Sequence, residues 1–124
     1  MSIDILLDSN GDETIADEKS SLFITCTFKD EDEDLVIPDS IKWSLTDRYG
    51  NYIHDRNQVV VTQPALSITV ILSNLDLAMQ TSEIRMLKVK RLFTIEAIYD
   101  SSLQDNLPLN KSVVFFIQNL RKIT

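Results

Sequence analysis

Cysteine and histidine are almost missing from this chain, which contains one of each in 124 residues. The single cysteine, Cys26, cannot form an internal disulfide, so the inter-sheet bridge of antibody domains is excluded. Cys26 alternates with Leu22, Ile24 and Phe28, which indicates a buried apolar residue and not a reactive thiol. His54 stands in a polar run that is typical of an exposed loop, and zinc needs more such ligands than one chain supplies. We therefore expect no cofactor, no metal and no catalytic residues.

Glycine and long apolar runs are also scarce. Two glycines are too few for the glycine-rich loops that cradle phosphates. The longest apolar segment, residues 65–72, is interrupted by Ser67 and Thr69, and it is far shorter than the roughly 18 residues of a membrane-spanning helix. The first residues lack the basic start and the cleavage site of a secretory signal. We expect synthesis in the cytoplasm and no membrane as a partner.

Positive charge is scarce in the first third of the chain. Residues 1–40 contain 12 acidic and 2 basic side chains, whereas residues 41–124 contain 7 acidic and 10 basic ones. The net charge of −7 disfavours nucleic acid as a partner, because binding to phosphates depends on lysine and arginine. A basic surface on another protein is the more suitable partner.

Short runs of alternating polar and apolar residues dominate the rest of the sequence, and this pattern is typical of β-strands. A turn is expected at residues 8–12, a hairpin turn around Gly50 at residues 47–51, and a capped helical turn at residues 73–78. Residues 100–110 are interpreted as a link, and residues 80–88 stay unassigned. The predicted strands are residues 3–7, 20–28, 41–46, 52–53, 59–62, 66–72, 91–99 and 113–117.

Strands at this spacing, without a helix long enough to connect parallel strands, predict an all-β fold. We expect an antiparallel immunoglobulin-like β-sandwich of about seven strands with Greek-key connections, formed by a single domain over residues 1–124. Trp43, the only tryptophan, is predicted to face the core. A closed barrel is the alternative architecture, because alternation alone does not show whether the sheet edges meet.

An acidic run is the first candidate site. Asp30, Glu31, Asp32, Glu33 and Asp34 are predicted to form a solvated loop that binds a protein partner. Alternate acidic positions in this run, and the pattern DxNxD at residues 8–12, also suit a calcium loop. Neither run has the glycine position, the later glutamate or the flanking helices of an EF-hand, so a solvated loop is favoured over a metal site.

A basic cluster follows the unassigned segment and is the second candidate. Arg85, Lys88, Lys90 and Arg91 have no interleaved aromatic residue other than Phe93, so a platform for single-stranded nucleic acid is not indicated. Two interpretations remain. The cluster binds an acidic neighbour, such as the acidic run of a second copy, or it is a solvated strand edge that prevents aggregation.

Three segments carry a family resemblance: IKWSLTDRYGN at residues 41–51, LSITVILS at 66–73 and LFTIEAIYDS at 92–101. With LPL at 107–109 and FFI at 115–117, they resemble small immunoglobulin-like virion proteins of tailed bacteriophages. The resemblance covers about residues 38–120, and the acidic first third departs from it. Bacterial adhesion modules use similar strand patterns, so the resemblance concerns the fold more than the setting.

The resemblance implies a non-enzymatic virion protein that decorates the capsid or joins head to tail. Its expected partners are other virion proteins (capsid, portal or tail), which multiple copies contact in a symmetric assembly. Its expected location is the virion. The alternative is a carbohydrate-binding or ligand-binding adhesion module, in which Tyr49, Tyr52 and His54 form a stacking surface.

Overall fold

The computed structural model describes residues 2–8, 15–83, 85–101 and 103–120, and within them it contains eight β-strands, two short 3₁₀ helices and no α-helix. The 3₁₀ helices are Asn74–Leu77 and Thr81–Glu83. The strands are β1 (Ser2–Asp8), β2 (Ile15–Asp17), β3 (Ser21–Lys29), β4 (Ser40–Asp47), β5 (Val59–Val60), β6 (Ser67–Ser73), β7 (Lys88–Tyr99) and β8 (Leu107–Gln118).

The strands form two sheets, with the orders β1-β3-β6 and β2-β8-β7-β4-β5. Consecutive strands repeatedly change sheets, as in a Greek key, and β8-β7-β4-β5 matches the order G, F, C, C′ of variable-type immunoglobulin domains. The predicted immunoglobulin-like β-sandwich is therefore confirmed. In the described part of the chain every strand pair is antiparallel except β2 with β8, where Ile15 lies beside Phe116.

The core lies between the sheets and is built from the alternating residues that the sequence indicates. Leu22, Ile24, Cys26 and Phe28 are fully buried, because β3 turns every second side chain toward the other sheet. Trp43 is also buried, with its ring stacked 5.6 Å from that of Phe93. Burial raises the pKa of the Cys26 thiol to about 12, so this cysteine is a packing residue.

Several predicted boundaries differ from the structure. Residues 52–53 do not form a returning strand, because Tyr52 makes only an isolated bridge to Thr46 before the chain turns again. The final strand begins at Leu107, inside the predicted link, since proline at position 108 does not prevent pairing with Ile98. The hairpin turn around Gly50 is confirmed, with a φ of +87° at that glycine. The predicted turn at residues 8–12 lies mostly outside the described residues.

The two sheets stay open within the described residues, so the barrel alternative is not supported. β1 and β8 touch without pairing, and β5 and β6 do not pair either. The capped turn predicted at residues 73–78 is the 3₁₀ helix Asn74–Leu77, and the backbone N–H of Ser73 donates to Asp76 Oδ2 at 3.2 Å. This turn leads from β6 into the other sheet.

Candidate functional site

The loops that follow β3 and β7 meet at one end of the sandwich, which we call the acidic end (residues 30–39 and 100–106). These loops contain eight aspartates and glutamates and no lysine or arginine. The Ser101 hydroxyl donates to Glu31 Oε1 at 2.6 Å, and the Asp39 N–H donates to the Ile98 carbonyl at 2.7 Å. The acidic run is therefore joined by carboxylates from a second loop.

Two members of the predicted acidic site hold the loop together. Asp30 Oδ1 accepts the backbone N–H groups of Asp32 at 2.9 Å and Asp34 at 3.1 Å. Glu31 also accepts a hydrogen bond from the buried Tyr99 hydroxyl at 3.2 Å. These hydrogen bonds lower the pKa of the Glu31 carboxyl, and the bond from Ser101 has the largest effect. Both side chains are half-buried and have internal partners.

The remaining three members, Asp32, Glu33 and Asp34, are exposed, as the sequence predicts for a solvated loop. Asp39 lies beside the carboxylate of Asp100. A hydrogen bond to Asp100, together with burial and the nearby negative charges, raises the pKa of Asp39. The acidic end is therefore a region in which negative charges repel one another without a cation in either loop to balance them.

The opposite end contains a buried ion pair. Arg91 is completely buried, and its Nη2 donates to Glu83 Oε1 at 2.6 Å while its Nη1 donates to Glu83 Oε2 at 2.9 Å. The grouping of Arg91 with the exposed basic residues is therefore wrong. Alternation along β7 places Arg91 on the inner face with Val89 and Phe93.

A cleft of about 560 Å³ lies beside this ion pair, between the turn after β4, the 3₁₀ helix Thr81–Glu83 and the start of β7. Lys88 and Lys90, two predicted site residues, line the cleft together with Arg48. Arg85 is exposed but does not line it. β7 lies between β8 and β4 in its sheet, and only its first three residues extend beyond the end of β4. Lys88 and Lys90 therefore border the cleft, and they do not lie along a long unpaired strand edge.

The carboxylates of the cleft are held in their ionised form. Burial raises the pKa of Glu83, but hydrogen bonds from Arg91 and from the Gln80 N–H outweigh it and lower that pKa. Burial also raises the pKa of Asp47, but hydrogen bonds from Asn51 and Tyr49 outweigh it and leave that pKa below its usual value. Both carboxylates are therefore fixed hydrogen-bond acceptors beside the cleft.

Asp76 is the centre of a second network that sequence reasoning missed. His54 Nδ1 lies 2.8 Å from Asp76 Oδ1, and Arg56 Nε donates to the same oxygen at 2.8 Å. Burial raises the pKa of Asp76, but bonds from Arg56, His54 and the Ser73 N–H lower it overall. His54 is therefore engaged within the fold. The only sequence signal for this network was the spacing of Ser73 and Asp76 in a capped turn.

The proposed stacking surface for a carbohydrate is incomplete. Tyr49 and Tyr52 are exposed by 72% and 49%. The guanidinium of Arg48, however, lies 4.7 Å from the centre of the Tyr49 ring and covers one of its faces. His54 is held by its Nδ1 contact with Asp76, so the uncovered face of Tyr49 and the ring of Tyr52 are the parts of this surface that are not engaged in the described part of the chain.

Within the described ranges, no group of three or more histidine, cysteine, aspartate or glutamate side chains is arranged to hold a metal ion. The calcium pattern at residues 8–12 lies mostly outside those ranges. No helix in the described part of the chain has both the length and the apolar character needed to cross a membrane.

The structure thus brings the acidic run together with Asp39 and Asp100, and it places Lys88 and Lys90 at the opposite end of the same molecule. It does not bring the acidic and basic candidates together within one copy. Comparisons of the chain with protein-family models, with curated proteins and with solved structures gave no match.

Proposed function

We propose that this chain is a non-enzymatic structural protein that acts through protein–protein contacts, and that its acidic end binds a basic surface of another protein. The observation that carries the proposal is the convergence of two loops with eight carboxyl groups and no basic residue. Such a surface attracts a positively charged partner over a distance and orients it.

The internal bonds of the acidic end support this role. Asp30 and Glu31 fix the loop through backbone and hydroxyl donors, while Asp32 and Glu33 stay exposed. A loop held in one conformation loses less entropy when it binds than a disordered acidic tail does. The exposed side chains of Leu35 and Ile37, at 54% and 57%, add apolar area beside the charges.

The resemblance to small phage virion proteins extends the proposal to a setting. In that setting the chain is an accessory component of a tailed-phage particle, and its partner is a capsid, portal or tail protein. Multiple copies then occupy equivalent positions in a symmetric shell or ring. A carbohydrate-binding module is the weaker candidate, because Arg48 covers Tyr49 and Asp76 engages His54.

A charge-matched pair of variants tests the acidic end. Asp32→Asn with Glu33→Gln removes two exposed charges from the acidic end, and Asp55→Asn with Glu96→Gln makes the same two chemical changes elsewhere. Mass spectrometry first identifies phage particles that contain the chain. Capsids, portals and tails are then purified from these particles as three separate samples, and co-sedimentation of the chain with each sample measures binding. We expect the first variant to bind several-fold more weakly and the second to bind like the unchanged chain.

Salt provides an independent test of the same contact. Binding through exposed charges weakens as the salt concentration rises from about 50 mM to about 500 mM. Equal binding by both variants, or binding that salt does not change, would remove the acidic end from the contact. Absence of the chain from purified particles would contradict the virion setting, and selective binding on a glycan array would favour the carbohydrate-binding alternative.

A further inference from the structure

Strand β6 has an unpaired backbone edge. The Phe28 N–H donates to the Leu66 carbonyl and the Asn74 N–H donates to the Ser20 carbonyl, both at 3.1 Å, at the two ends of the β3–β6 ladder. Even-numbered residues of β6 therefore bond to β3, and the N–H and C=O groups of residues 67, 69 and 71 point away from it. Nothing in the described part of the chain makes a hydrogen bond to these groups.

The other sheet edges are short, or carry charge or proline. On β1 the Lys111 side chain donates to the Ile3 carbonyl at 2.9 Å, and the strand carries Asp4 and Asp8. β8 extends beyond β2 over residues 107–115, but this part contains Pro108 and Lys111. β5 and β2 have only two and three residues. β6 has seven residues, SITVILS, without charge or proline. It lacks the devices by which natural edge strands avoid pairing with another chain.

Side chains on the outer face of the same sheet add an apolar strip. Ile71 on β6 is 58% exposed and lies directly opposite Phe23 on β3, which is 45% exposed. Leu6 on β1, also 58% exposed, continues the strip to the far edge. Pairing at β6 would cover the Ile71 end of this strip and leave the Leu6 end unchanged.

We propose that the β6 edge pairs with β6 of a second copy of this chain, antiparallel and about a two-fold axis at Val70. Residues at equal distances from Val70 are similar in the two halves of the strand. This register therefore places Ser67 opposite Ser73 of the second copy and Thr69 opposite its Ile71. Serine then lies opposite serine, and the outward N–H and C=O groups of Thr69 and Ile71 form hydrogen bonds with those of the second copy, while the Ser73 N–H stays bonded to Asp76 Oδ2.

Charge favours a second copy over a charged partner strand. The chain carries a net charge of −7, but β6 and the outer face of β3 beside it, residues 21, 23, 25 and 27, carry no charged side chain. Two copies can therefore approach at this edge without placing like charges opposite each other. The result is a six-stranded sheet in the order β1-β3-β6-β6-β3-β1. The acidic end takes no part in this contact, so the dimer does not depend on the proposed function.

Two exposed residues of equal exposure provide the test. Ile71→Lys places a charge at the proposed axis, and Leu6→Lys places the same charge on the same face at the opposite edge. Light scattering after size-exclusion chromatography, from about 1 µM to about 1 mM chain, measures the oligomeric state. We expect the unchanged chain and Leu6→Lys to form dimers and Ile71→Lys to remain monomeric across the same range.

Thr69→Pro is a second variant that acts on the backbone. It removes one outward N–H that the fold itself does not use, so it should leave the domain folded and abolish the dimer. A chain that is monomeric at every concentration would overturn the proposal, as would equal loss of the dimer in Leu6→Lys and Ile71→Lys. A dimer that survives both Ile71→Lys and Thr69→Pro would place the contact on another surface.

Discussion

The two ends of the sandwich hold carboxylates in opposite ways. At the cleft end, each buried carboxylate meets a cation or backbone N–H groups, as Glu83 does with Arg91 and Asp76 does with Arg56. At the acidic end no lysine or arginine stands in either loop, and Asp39 lies beside Asp100. The pKa values of Glu83 and Asp76 are lowered and that of Asp39 is raised, while Glu31, which accepts from Ser101 and Tyr99, has a lowered pKa within the acidic end.

This difference separates charges that hold the fold from charges that are available to a partner. Removing a partner from a buried ion pair leaves an uncompensated charge, which costs much more than removing an exposed carboxylate. The acidic end should therefore tolerate substitution, whereas the cleft end should not.

The largest expected effect is at the buried ion pair. Glu83→Gln keeps the shape of the side chain but removes the carboxylate that forms the ion pair with the fully buried Arg91, and leaves the guanidinium with the attraction of Asp47, to which it forms no ion pair in the described residues. We expect the free energy of unfolding to fall by about 3–5 kcal/mol, measured by urea denaturation. Glu96→Gln on β7 is the control, because Glu96 has no ion pair within the described residues, and it should change stability by less than about 0.5 kcal/mol. Equal effects of the two variants would contradict the assignment.

Asp76→Asn should have the second largest effect. The amide cannot accept from His54, Arg56 and the Ser73 N–H as the carboxylate does, and the side chain is only 3% exposed. We expect a loss of about 1–3 kcal/mol in the same unfolding experiment. Asp55→Asn, at an exposed position between His54 and Arg56, should leave stability nearly unchanged. An equal loss in Asp55→Asn would mean that the turn containing His54 and Arg56, and not the hydrogen bonds of Asp76, determines the stability.

A smaller difference is expected within the acidic end itself. Asp30→Ala removes the acceptor of two backbone N–H groups and should cost about 0.5–1.5 kcal/mol. Asp32→Ala removes an exposed carboxylate and should change stability by less than about 0.5 kcal/mol. Thermal unfolding of the two variants side by side measures this. A larger loss in Asp32→Ala would show that the exposed carboxylate has a structural role.

The smallest effect concerns pH and has opposite signs for Glu83 and Asp39. A lowered pKa, as in Glu83, means that stability is lost as pH falls through the folded value. The raised pKa of Asp39 means that stability is lost as pH rises above the ordinary value of 3.8. Asp39→Asn should therefore remove part of the decline above that pH and leave the acid-side decline unchanged, as a pH series of melting temperatures would show. An unchanged curve above pH 3.8 would contradict the hydrogen bond between Asp39 and Asp100 and the repulsion that accompanies it.

Much of the fold could be predicted because alternation reports directly on burial. Phe93, Ile95 and Trp43 face the core, as their positions in the sequence indicate. Arg91 follows the same alternation, but its charge suggested an exposed position, and only the pairing with Glu83 explains its burial. The expectation that a charged residue is exposed was wrong for Arg91, whereas the alternation of positions along the strand predicts its burial correctly.

The candidate site was predictable only in part. The exposure of Asp32, Glu33 and Asp34 follows from a run of like charges, which resists burial. The contacts of Glu31 with Ser101 and of His54 with Asp76 join residues that are distant in the chain. They depend on the conformation of loops and on sheet order, which periodicity does not determine. His54 and Asp55 both have positive φ values, a geometry that these residue types adopt more often than most but that the sequence alone does not assign to them.

The single parallel pairing has a consequence for how the chain reaches its native state. Ile15–Asp17 can pair only after Leu107–Gln118 has left the ribosome, because β2 lies at the outer edge of β8. Contacts between such distant parts of a chain slow folding, since a long loop must close before they form. We expect this domain to acquire its native structure only after β8 has emerged, within milliseconds to seconds, and not segment by segment as the earlier strands emerge.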